Sequence, residues 1–204
     1  SNQEFSGSLA ELMKVSPKIV AIILNTNRKE DTLACLESLQ KNLYPDLEVI
    51  VLDNASTDGS IAAIQHAYPL VKIVQLPENK GYAGNNNAGI ELALRSQPEW
   101  VFVLNEDIIL SPDALNQMMI AVQNRPDVGI IGPMVYHYDE PEIIQSAGGM
   151  LSANWDSLHR ASNQTDTGQF QIPDEVQWIS GCAIGVRTSA IKQVGTIDER
   201  FFYY

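Results

Sequence analysis

A short polar segment, residues 53–59, combines two acids and a serine at a spacing that suits nucleotide binding. It begins with Asp53, directly after the apolar residues 47–52. An acid after a buried strand must be paired or leave the core, and we expect Asp53 to point into a crevice and accept hydrogen bonds from a base imide or a ribose hydroxyl. Ser56 and Asp58 suit the start of a helix, where their oxygens can cap free amides. Taken alone, the segment is also compatible with a capped turn that binds nothing.

Three further polar stretches follow other apolar runs: residues 25–27, 79–87 and 105–107. Glycine lets a backbone approach a ligand closely, and asparagine supplies both hydrogen-bond donors and acceptors. If the apolar runs are parallel strands, all four polar segments lie at the carboxyl edge of one sheet. Ligands bind at that edge in open α/β sheets. The asparagine run is also compatible with a solvated turn before a helix.

The apolar periodicity of residues 19–124 predicts alternating strands and helices. A continuous apolar run over residues 19–24 predicts a strand buried on both faces, and further strands are predicted over residues 47–52, 71–76 and 100–104. Helices are predicted after an Asn27–Glu30 capping box and before Pro45, over residues 56–66 and 88–95, and from Ser111-Pro112-Asp113 onward. This alternation is typical of an α/β fold with an open, doubly wound, mostly parallel twisted sheet and helices on both faces.

After residue 127 the pattern is less regular. Residues 128–135 predict one or two strands, residues 178–186 a strand, and residues 189–194 a short helix. The intervening residues 137–176 are predicted to be irregular. A short helix is also expected over residues 9–15.

The composition of the 204-residue chain excludes several classes of protein. Hydrophobic residues make up 45%, so a real core can form and general disorder is excluded. The net charge of −12 argues against a nucleic-acid binder, although a divalent cation could still join an acidic site to a diphosphate. We expect Cys35 and Cys182 to be free thiols, and no histidine and cysteine cluster suggests zinc. No apolar run approaches the ~20 residues that span a bilayer.

Residues 51–60, Val-Leu-Asp-Asn-Ala-Ser-Thr-Asp-Gly-Ser, closely resemble the signature of family-2 glycosyltransferases with the GT-A fold. Residues 20–27 resemble the strand that precedes this signature in that family. Residues 79–90 resemble the family's N-x-G-(F/Y)-A-x-x-N-N-x-G motif. The resemblance runs from about residue 19 to residue 204 and is strongest to the rhamnosyltransferase-like branch, which builds polysaccharides. It implies a Rossmann-like GT-A sheet.

The resemblance also implies a site for the donor nucleotide. Asp53 would contact the base or ribose, and the asparagines after the first strand would line the pocket. The glycines and asparagines of residues 79–90 would shape a loop beside the nucleotide and diphosphate. The implied nucleotide-binding residues are Asn25, Asn27, Asp53, Ser56, Gly81, Gly84, Asn86, Asn87 and Asn105.

The segment Asn105-Glu106-Asp107 occupies the position of the family's D-x-D metal motif and departs from it at Asn105. The resemblance implies a divalent cation, Mg²⁺ or Mn²⁺, because hard cations prefer oxygen ligands. Asp107 is the first candidate ligand and Glu106 the second, whereas Asn105 would contact ribose or phosphate. The cation would neutralise charge on the departing diphosphate.

Residues 178–182 resemble the family segment that flanks the acceptor and the donor sugar. This places Trp178 and Gly181 in the predicted acceptor or sugar site. A tryptophan face can cover the C–H surface of a sugar ring. A core position is an equally good explanation of Trp178.

The catalytic base of the family is an acid shortly after a segment that residues 195–204 resemble. The base is therefore expected beyond Tyr204, and no catalytic residue is assigned within the chain. Asp198 and Glu199 precede that position and are expected to fix the helix-to-loop geometry. We expect the 204-residue piece to bind a donor but to transfer sugar poorly.

The implied function is an inverting hexosyltransferase of surface polysaccharide synthesis. An acid deprotonates the acceptor hydroxyl, which attacks the anomeric carbon as the nucleoside diphosphate leaves. The implied partners are a UDP- or dTDP-linked sugar and a glycan or lipid-linked acceptor, with no nucleic acid. A cytoplasmic setting is expected, and a peripheral position at the inner face of the membrane, with membrane-associated machinery, is compatible with it.

The predicted domain organisation has an N-terminal extension, residues 1–17, and a GT-A domain, residues 18–204. Within that domain, residues 18–127 form the nucleotide-binding half. Residues 128–204 form the start of an acceptor-binding half, which is incomplete.

Two other functions are compatible with parts of the pattern. A catalytically inactive nucleotide-sugar-binding or scaffold domain would keep the fold without the base. A nucleotidyltransferase is a weaker alternative, because its glycine-rich loop should follow the first strand, where residues 25–28 contain no glycine. A Rossmann dehydrogenase should carry G-x-G-x-x-G at the same place, and this chain does not.

Overall fold

A computed structural model describes residues 16–202. Its centre is a six-stranded sheet with the order β3-β2-β1-β4-β11-β5. The strands of this sheet are β1 (Ile19–Asn25), β2 (Leu47–Asp53), β3 (Lys72–Gln75), β4 (Trp100–Asn105), β5 (Ile130–Ile131) and β11 (Ala183–Arg187). The helices are α1 (Lys29–Gln40), α2 (Ser60–Ala67), α3 (Gly81–Leu94), α4 (Ala114–Val122) and α5 (Thr188–Val194).

The first four strands are parallel, and β11 is antiparallel to both β4 and β5. Each of the predicted strands of residues 19–104 is present within one or two residues of its expected ends. The sheet is therefore mostly parallel, as predicted. It also includes strands from both predicted halves of the domain.

The sheet is covered on both faces, because successive side chains of a strand point to opposite sides. On one face Ile19 and Ile23 pack with residues of α1, α2 and α4. On the other face Val20 and Ile22 pack with residues of α3 and α5. This double coverage explains why β1 is a continuous apolar run.

The less regular residues form two small sheets beside the main one. One sheet has the order β10-β7-β6, and the other is the hairpin β8-β9. Their strands are β6 (Val135–Tyr136), β7 (Ile143–Ser146), β8 (Gly149–Leu151), β9 (Ser157–His159) and β10 (Gln164–Thr165). Residues 137–176, predicted to be irregular, thus contain short strands that are too brief to show a clear period.

Several predicted boundaries are wrong. Helix α1 ends at Gln40, well before Pro45, and Leu43 instead donates its amide to the carbonyl of Pro112 at 2.8 Å. Helix α2 begins at Ser60 rather than near residue 56, and α4 begins at Ala114 rather than Ser111. Local apolar spacing does not mark helix ends, because the end depends on which groups cap the first free amides.

The helix expected over residues 9–15 lies outside the described residues. Within residues 16–202, no helix is both long enough and apolar enough to cross a membrane.

Candidate functional site

The carboxyl ends of three neighbouring strands bring the predicted site residues together. In the β1–β2 register Asn25 lies beside Asp53, and in the β1–β4 register Leu24 lies beside Asn105. The loops after these strands and the start of α3 therefore share one edge of the sheet. Four polar segments that are far apart in the chain become neighbours there because the strands are parallel.

Asn25 is the centre of a buried hydrogen-bond network at this edge. Its Nδ2 donates to Asp53 Oδ1 at 2.8 Å and lies 3.0 Å from Ser56 Oγ and 2.9 Å from Ser60 Oγ. Its Oδ1 accepts a hydrogen bond from Thr32 Oγ1 at 2.9 Å. Asn25 thus ties β1 to the loop after β2 and to two helices. Thr32 and Ser60 were not predicted as site residues: Thr32 lies inside α1, and Ser60 is the last residue of the segment 51–60 and the first residue of α2.

Asp53 does not point into an open crevice as expected. Its side chain is fully buried, and its two oxygens accept from Asn25 Nδ2 at 2.8 Å and from the Ser56 amide at 3.0 Å. A buried carboxylate needs such donors to offset the loss of water. Each carboxylate oxygen can accept a second bond, so a nucleotide contact to Asp53 stays a prediction.

Asn27 does not form the predicted capping box with Glu30. It adopts a left-handed conformation with φ 53°, and its Oδ1 accepts from the amide of Thr57 at 2.7 Å. Its own amide donates to Ser56 Oγ at 2.9 Å. Asn27 and Ser56 therefore join two loops at the edge, and whether they touch a nucleotide stays a prediction.

Asp58 caps two helices at once. Its Oδ2 accepts from the Lys29 amide at the start of α1, and its Oδ1 accepts from the Ser60 amide at the start of α2, at 2.9 and 3.0 Å. The hydrogen bond from the side chain of Ser60, followed by these amides, lowers the pKa of Asp58. The expected capping role of Asp58 is therefore present, and it extends to a helix nearly thirty residues earlier in the chain.

The predicted glycine- and asparagine-rich loop is the start of helix α3. Asparagine disfavours helix interiors because its side chain competes for backbone groups. Here those groups are used as caps: Asn79 Oδ1 accepts from the Gly81 amide and Asn85 Oδ1 accepts from the Lys80 amide, both at 2.9 Å. Tertiary contacts then outweigh the weak helix propensity of the segment.

The two glycines predicted to lie beside the nucleotide pack against protein. A side chain at Gly81 would overlap the carbonyl oxygen of Phe202, and Gly81 has φ 72°, which favours glycine. A side chain at Gly84 would lie 2.5 Å from Cβ of Lys80. Both glycines thus allow close packing around the start of α3, and their place beside the nucleotide stays a prediction.

Asn86 carries a buried acceptor with no donor. The side chain is 1% exposed, and its Nδ2 donates to the Tyr82 carbonyl at 2.9 Å. That bond assigns the amide orientation, because a carbonyl cannot donate. Within the described part of the chain, Asn86 Oδ1 has no hydrogen-bond partner. Buried polar atoms without partners are rare, which makes this oxygen a candidate for contact with a ligand.

Asn87 has different partners. Its Nδ2 donates to the Ile197 carbonyl at 2.8 Å, and its Oδ1 accepts from the Ile197 amide at 3.0 Å. The side chain predicted to lie beside the nucleotide is thus used to hold a distant part of the chain.

The predicted metal loop follows β4 in a turn. Asp107 is exposed, and its Oδ2 lies 3.8 Å from Nη2 of Arg28. Glu106 is partly buried, and this burial, with the neighbouring charge of Asp107, raises the pKa of its carboxyl. Within residues 16–202 no group of three or more histidine, cysteine, aspartate or glutamate side chains could hold a metal.

Cys35 lies beneath this loop, with Sγ 3.8 Å from the carbonyl oxygen of Asn105. Burial, followed by the charges of Glu106 and Asp107, raises the pKa of the Cys35 thiol to about 12. The thiol is therefore protonated at neutral pH and unsuited to nucleophilic chemistry. Both Cys35 and Cys182 are free thiols, as expected.

Trp178 anchors a hairpin and lies outside the strand predicted for it. Strand β11 begins only at Ala183, and Trp178 forms an isolated bridge with Gly149. Its Nε1 donates to the Met150 carbonyl at 3.2 Å, and its ring meets that of His159 edge-on at 4.7 Å between centroids. The early residues of the predicted strand lack a ladder partner because they turn toward the hairpin.

Gly181 lies beside α3. Its carbonyl accepts from the hydroxyl of Tyr82 at 2.9 Å, which links the predicted sugar-binding segment to the helix that carries Asn86. Tyr82 was not predicted as a site residue, although it stands at the aromatic position of the motif that residues 79–90 resemble. Burial raises the pKa of Tyr82, so its hydroxyl remains a donor at neutral pH.

Comparison with known proteins identifies a relationship over most of the chain. The profile of Glycosyl transferase family 2 matches residues 20–195. An N-acetylglucosaminyl-diphospho-decaprenol L-rhamnosyltransferase of Mycobacterium tuberculosis is 32% identical, with 83% of this chain and 61% of the relative covered. A poly-beta-1,6-N-acetyl-D-glucosamine synthase of Staphylococcus epidermidis is 30% identical over 83% of this chain and 38% of the relative. The chain thus spans about three fifths, or less, of these relatives.

Solved structures of low sequence identity share the fold. The mannosyltransferase PcManGT from Pyrobaculum calidifontis, in complex with GDP-Man and Mn²⁺, has a TM-score of 0.61 at 20% identity, covering 91% of this chain and 49% of that one. TarS 1–349 of S. aureus, in complex with UDP, has a TM-score of 0.64 at 17% identity, covering 91% and 51%. The predicted GT-A fold is confirmed by these similarities and by the mostly parallel sheet.

Proposed function

The chain belongs to Glycosyl transferase family 2, and we propose on that premise that it forms the donor-binding core of an inverting glycosyltransferase. The donor is a nucleoside-diphosphate sugar that binds at the carboxyl edge of β1, β2 and β4. The acceptor hydroxyl attacks the anomeric carbon, and the nucleoside diphosphate leaves.

One observation carries this proposal: the buried Oδ1 of Asn86 lacks a donor within the described residues. It belongs to the helix that also contacts the predicted sugar-binding segment, through Tyr82 and Gly181. A base imide N–H or a ribose hydroxyl is the kind of donor that such an oxygen can accept from. A nucleotide at this edge would satisfy an acceptor that residues 16–202 leave unpaired.

A divalent cation is part of the proposal. Asp107 offers an exposed carboxylate that suits Mg²⁺ or Mn²⁺, and Asn105 would contact ribose or phosphate. Glu106 is a second carboxylate in the same turn. When bound, the cation neutralises charge on the departing diphosphate. The Mn²⁺ and GDP-Man in the structure of PcManGT support this choice.

For the acceptor, we propose a glycan or a lipid-linked glycan in surface polysaccharide synthesis. The decaprenol named for the mycobacterial relative and the polysaccharide named for the staphylococcal one support this setting. The donor base is uracil or thymine, and the reaction takes place in the cytoplasm, where it can use membrane-associated machinery. Residues 18–127 supply the nucleotide-binding half and residues 128–204 the beginning of the acceptor half.

Calorimetric titration with UDP, dTDP, GDP and ADP, each with and without Mn²⁺, tests the proposal. We expect Mn²⁺-dependent binding of UDP or dTDP that weakens about tenfold or more in Asn86→Ala and in Asp107→Ala. Asp46→Ala is the matched control, because it removes an exposed acid at the opposite edge of the sheet. Absence of binding by the unmodified chain to all four nucleotides would contradict the proposal. If nucleotide binding depends neither on Mn²⁺ nor on the side chain of Asp107, only the cation part of the proposal is contradicted.

A further inference from the structure

Near the C-terminal end of the chain, a short segment passes back across the start of helix α3. We call residues 195–202 the strap. Asn87 holds one residue of the strap by both of its backbone groups, because its side-chain amide donates to the Ile197 carbonyl and accepts from the Ile197 amide. The same Nδ2 lies 3.2 Å from Oε1 of Glu199. The Asn87 side chain is only 4% exposed, so these bonds are shielded from water.

The far end of the strap is held by the first turn of the same helix. The amide of Tyr82 donates to the Phe202 carbonyl at 2.7 Å. That carbonyl lies where a side chain at Gly81 would be, so only glycine allows this approach without a shift. Two turns of α3 thus fix the strap at two places, one through a side chain and one through the backbone.

The interior of the strap supports the same arrangement. Asp198 Oδ1 accepts from the amide and the Nε of Arg200, both at 3.0 Å, and the Asp198 carbonyl accepts from the Phe201 amide at 3.1 Å. These local bonds shape a turn between the two points of attachment. They agree with the expectation that Asp198 and Glu199 set the geometry of this segment.

Asn86 and Asn87 are consecutive residues of α3, but their side-chain amides differ in their hydrogen-bond partners. Asn86 keeps a buried acceptor without a partner, whereas both groups of the Asn87 amide are used by the strap. Successive residues of a helix point about a hundred degrees apart, so the two side chains face different surroundings. The Nδ2 of Asn87 is already used by the strap, so the capacity left for a nucleotide is a second hydrogen bond accepted by Oδ1.

We propose that Asn87 is a positioning residue for sugar transfer, which holds the strap against α3 and makes no contact with the donor. The proposal rests on the proposed function, because the strap lies against the start of α3, the helix that carries Asn86. If the strap were released, the donor would still bind, but the rest of the site would be badly placed.

Hydrogen exchange at the Ile197 amide tests directly whether Asn87 holds the strap. In Asn87→Ala we expect exchange about tenfold faster than in the unmodified chain, relative to the intrinsic rate, because a buried pair of hydrogen bonds is lost. Alanine favours helix, so α3 itself should remain intact. The neighbouring variant Asn86→Ala is the control and should leave Ile197 protected. Unchanged protection in Asn87→Ala would overturn the proposal.

The variant Asn87→Asp adds a chemical rescue. At neutral pH its carboxylate would face the Ile197 carbonyl and the Glu199 carboxylate, so the strap should be released. Protonation restores a donor, and the protection of Ile197 should return as the pH is lowered. Protection that does not recover, while the rest of the sheet stays protected, would count against the bracketing geometry.

Binding and turnover separate this role from donor contact. Asn87→Ala should bind UDP or dTDP within about twofold of the unmodified chain, whereas Asn86→Ala should bind about tenfold more weakly. In the full-length protein, Asn87→Ala should lower kcat about tenfold and leave KM for the donor unchanged. Equal losses of affinity in both variants would make Asn87 a donor contact and overturn the proposal. Failure of the unmodified chain to bind any nucleotide would instead overturn the proposed function, whatever the exchange data show.

Discussion

Asn25 Nδ2 donates to Asp53 Oδ1 at 2.8 Å, and both side chains are fully buried at the carboxyl edge of the sheet. Two strands that are adjacent in the sheet are thus joined by their last side chains. Together with the Ser56 amide, this bond orients the buried carboxylate and offsets its loss of water. The candidate donor site therefore lies beside a buried polar network that is formed without ligand.

Loss of Asn25 should destabilise the whole fold. Asn25→Ala leaves one oxygen of Asp53 and the hydroxyls of Thr32 and Ser60 without their partner. We expect the free energy of unfolding to fall by about 3 kcal/mol, because hydrogen bonds to buried charge are among the stronger ones. Denaturant unfolding measures this change. Asn54→Ala, which loses one 3.3 Å side-chain bond to Thr26, should cost about 1 kcal/mol, and an equal loss in both variants would contradict the account.

Substitutions at two glycines with positive φ distinguish the free-energy cost of backbone strain from that of a packing overlap. Gly81 has φ 72° and contacts Phe202, whereas Gly59 has φ 81° and no neighbour within 4 Å of the position of a β-carbon. We expect Gly59→Ala to lower the free energy of unfolding by about 1 kcal/mol and Gly81→Ala by at least about 2 kcal/mol. Thermal unfolding of both variants checks this difference. Equal effects would show that the contact with Phe202 adds nothing.

The pH dependence of stability should reveal Asp58. Hydrogen bonds from Ser60 and from backbone amides lower the pKa of this exposed acid below its ordinary value of 3.8. A carboxyl whose folded pKa is lowered stabilises the fold above its unfolded pKa, and this contribution is lost as the pH falls through the folded pKa. Asp58→Ala should therefore be less stable than the unmodified chain at neutral pH.

The difference should shrink as the pH falls below about 4, where the carboxyl becomes protonated in the unfolded chain and then in the folded one. Unfolding by urea at several pH values measures it. Asp46→Ala, which removes an exposed acid that caps no helix, is the matched control. A gap for Asp58→Ala that stays constant to pH 2 would argue that the cap does not depend on charge.

Trp178 should contribute to stability through the β8–β9 hairpin. Trp178→Ala removes the ring that fills the space beside Gly149 and the bond to the Met150 carbonyl. We expect a loss of about 2 kcal/mol in the free energy of unfolding, with donor affinity unchanged. Trp155→Ala is the control, because Trp155 is 81% exposed and should matter by less than about 0.5 kcal/mol. If Trp178→Ala does not change the free energy of unfolding, the result would favour a role of Trp178 in contacting a sugar and not in stabilising the fold.

Much of the fold could be predicted because it depends on local pattern. The runs that became β1 and β4 are apolar up to their last residue, as expected for strands covered on both faces. The start of α3 could not be predicted, because its asparagines are poor helix formers by themselves. They became helical through caps and through bonds to the strap, and no local window contains that information.

The candidate site shows the same division. That polar segments meet at one edge follows from parallel strands of known order, so residues 25–27, 53–59 and 105–107 could be placed from sequence. The partners of each side chain could not. Asn27 was expected to cap its own helix, yet Asp58 from the next loop caps it instead.

By itself, then, the sequence determined the apolar strands, the family motifs and the edge where chemistry can occur, because all of these are written in short-range residue patterns. Only the tertiary structure decided that Asp53 is buried, that Asn86 keeps a free acceptor, and that Asn87 holds Ile197. The physical reason is that a hydrogen bond is specific to geometry at about 3 Å. Whether an asparagine meets a ligand or the strap depends on how chain segments more than a hundred residues apart come to lie against each other.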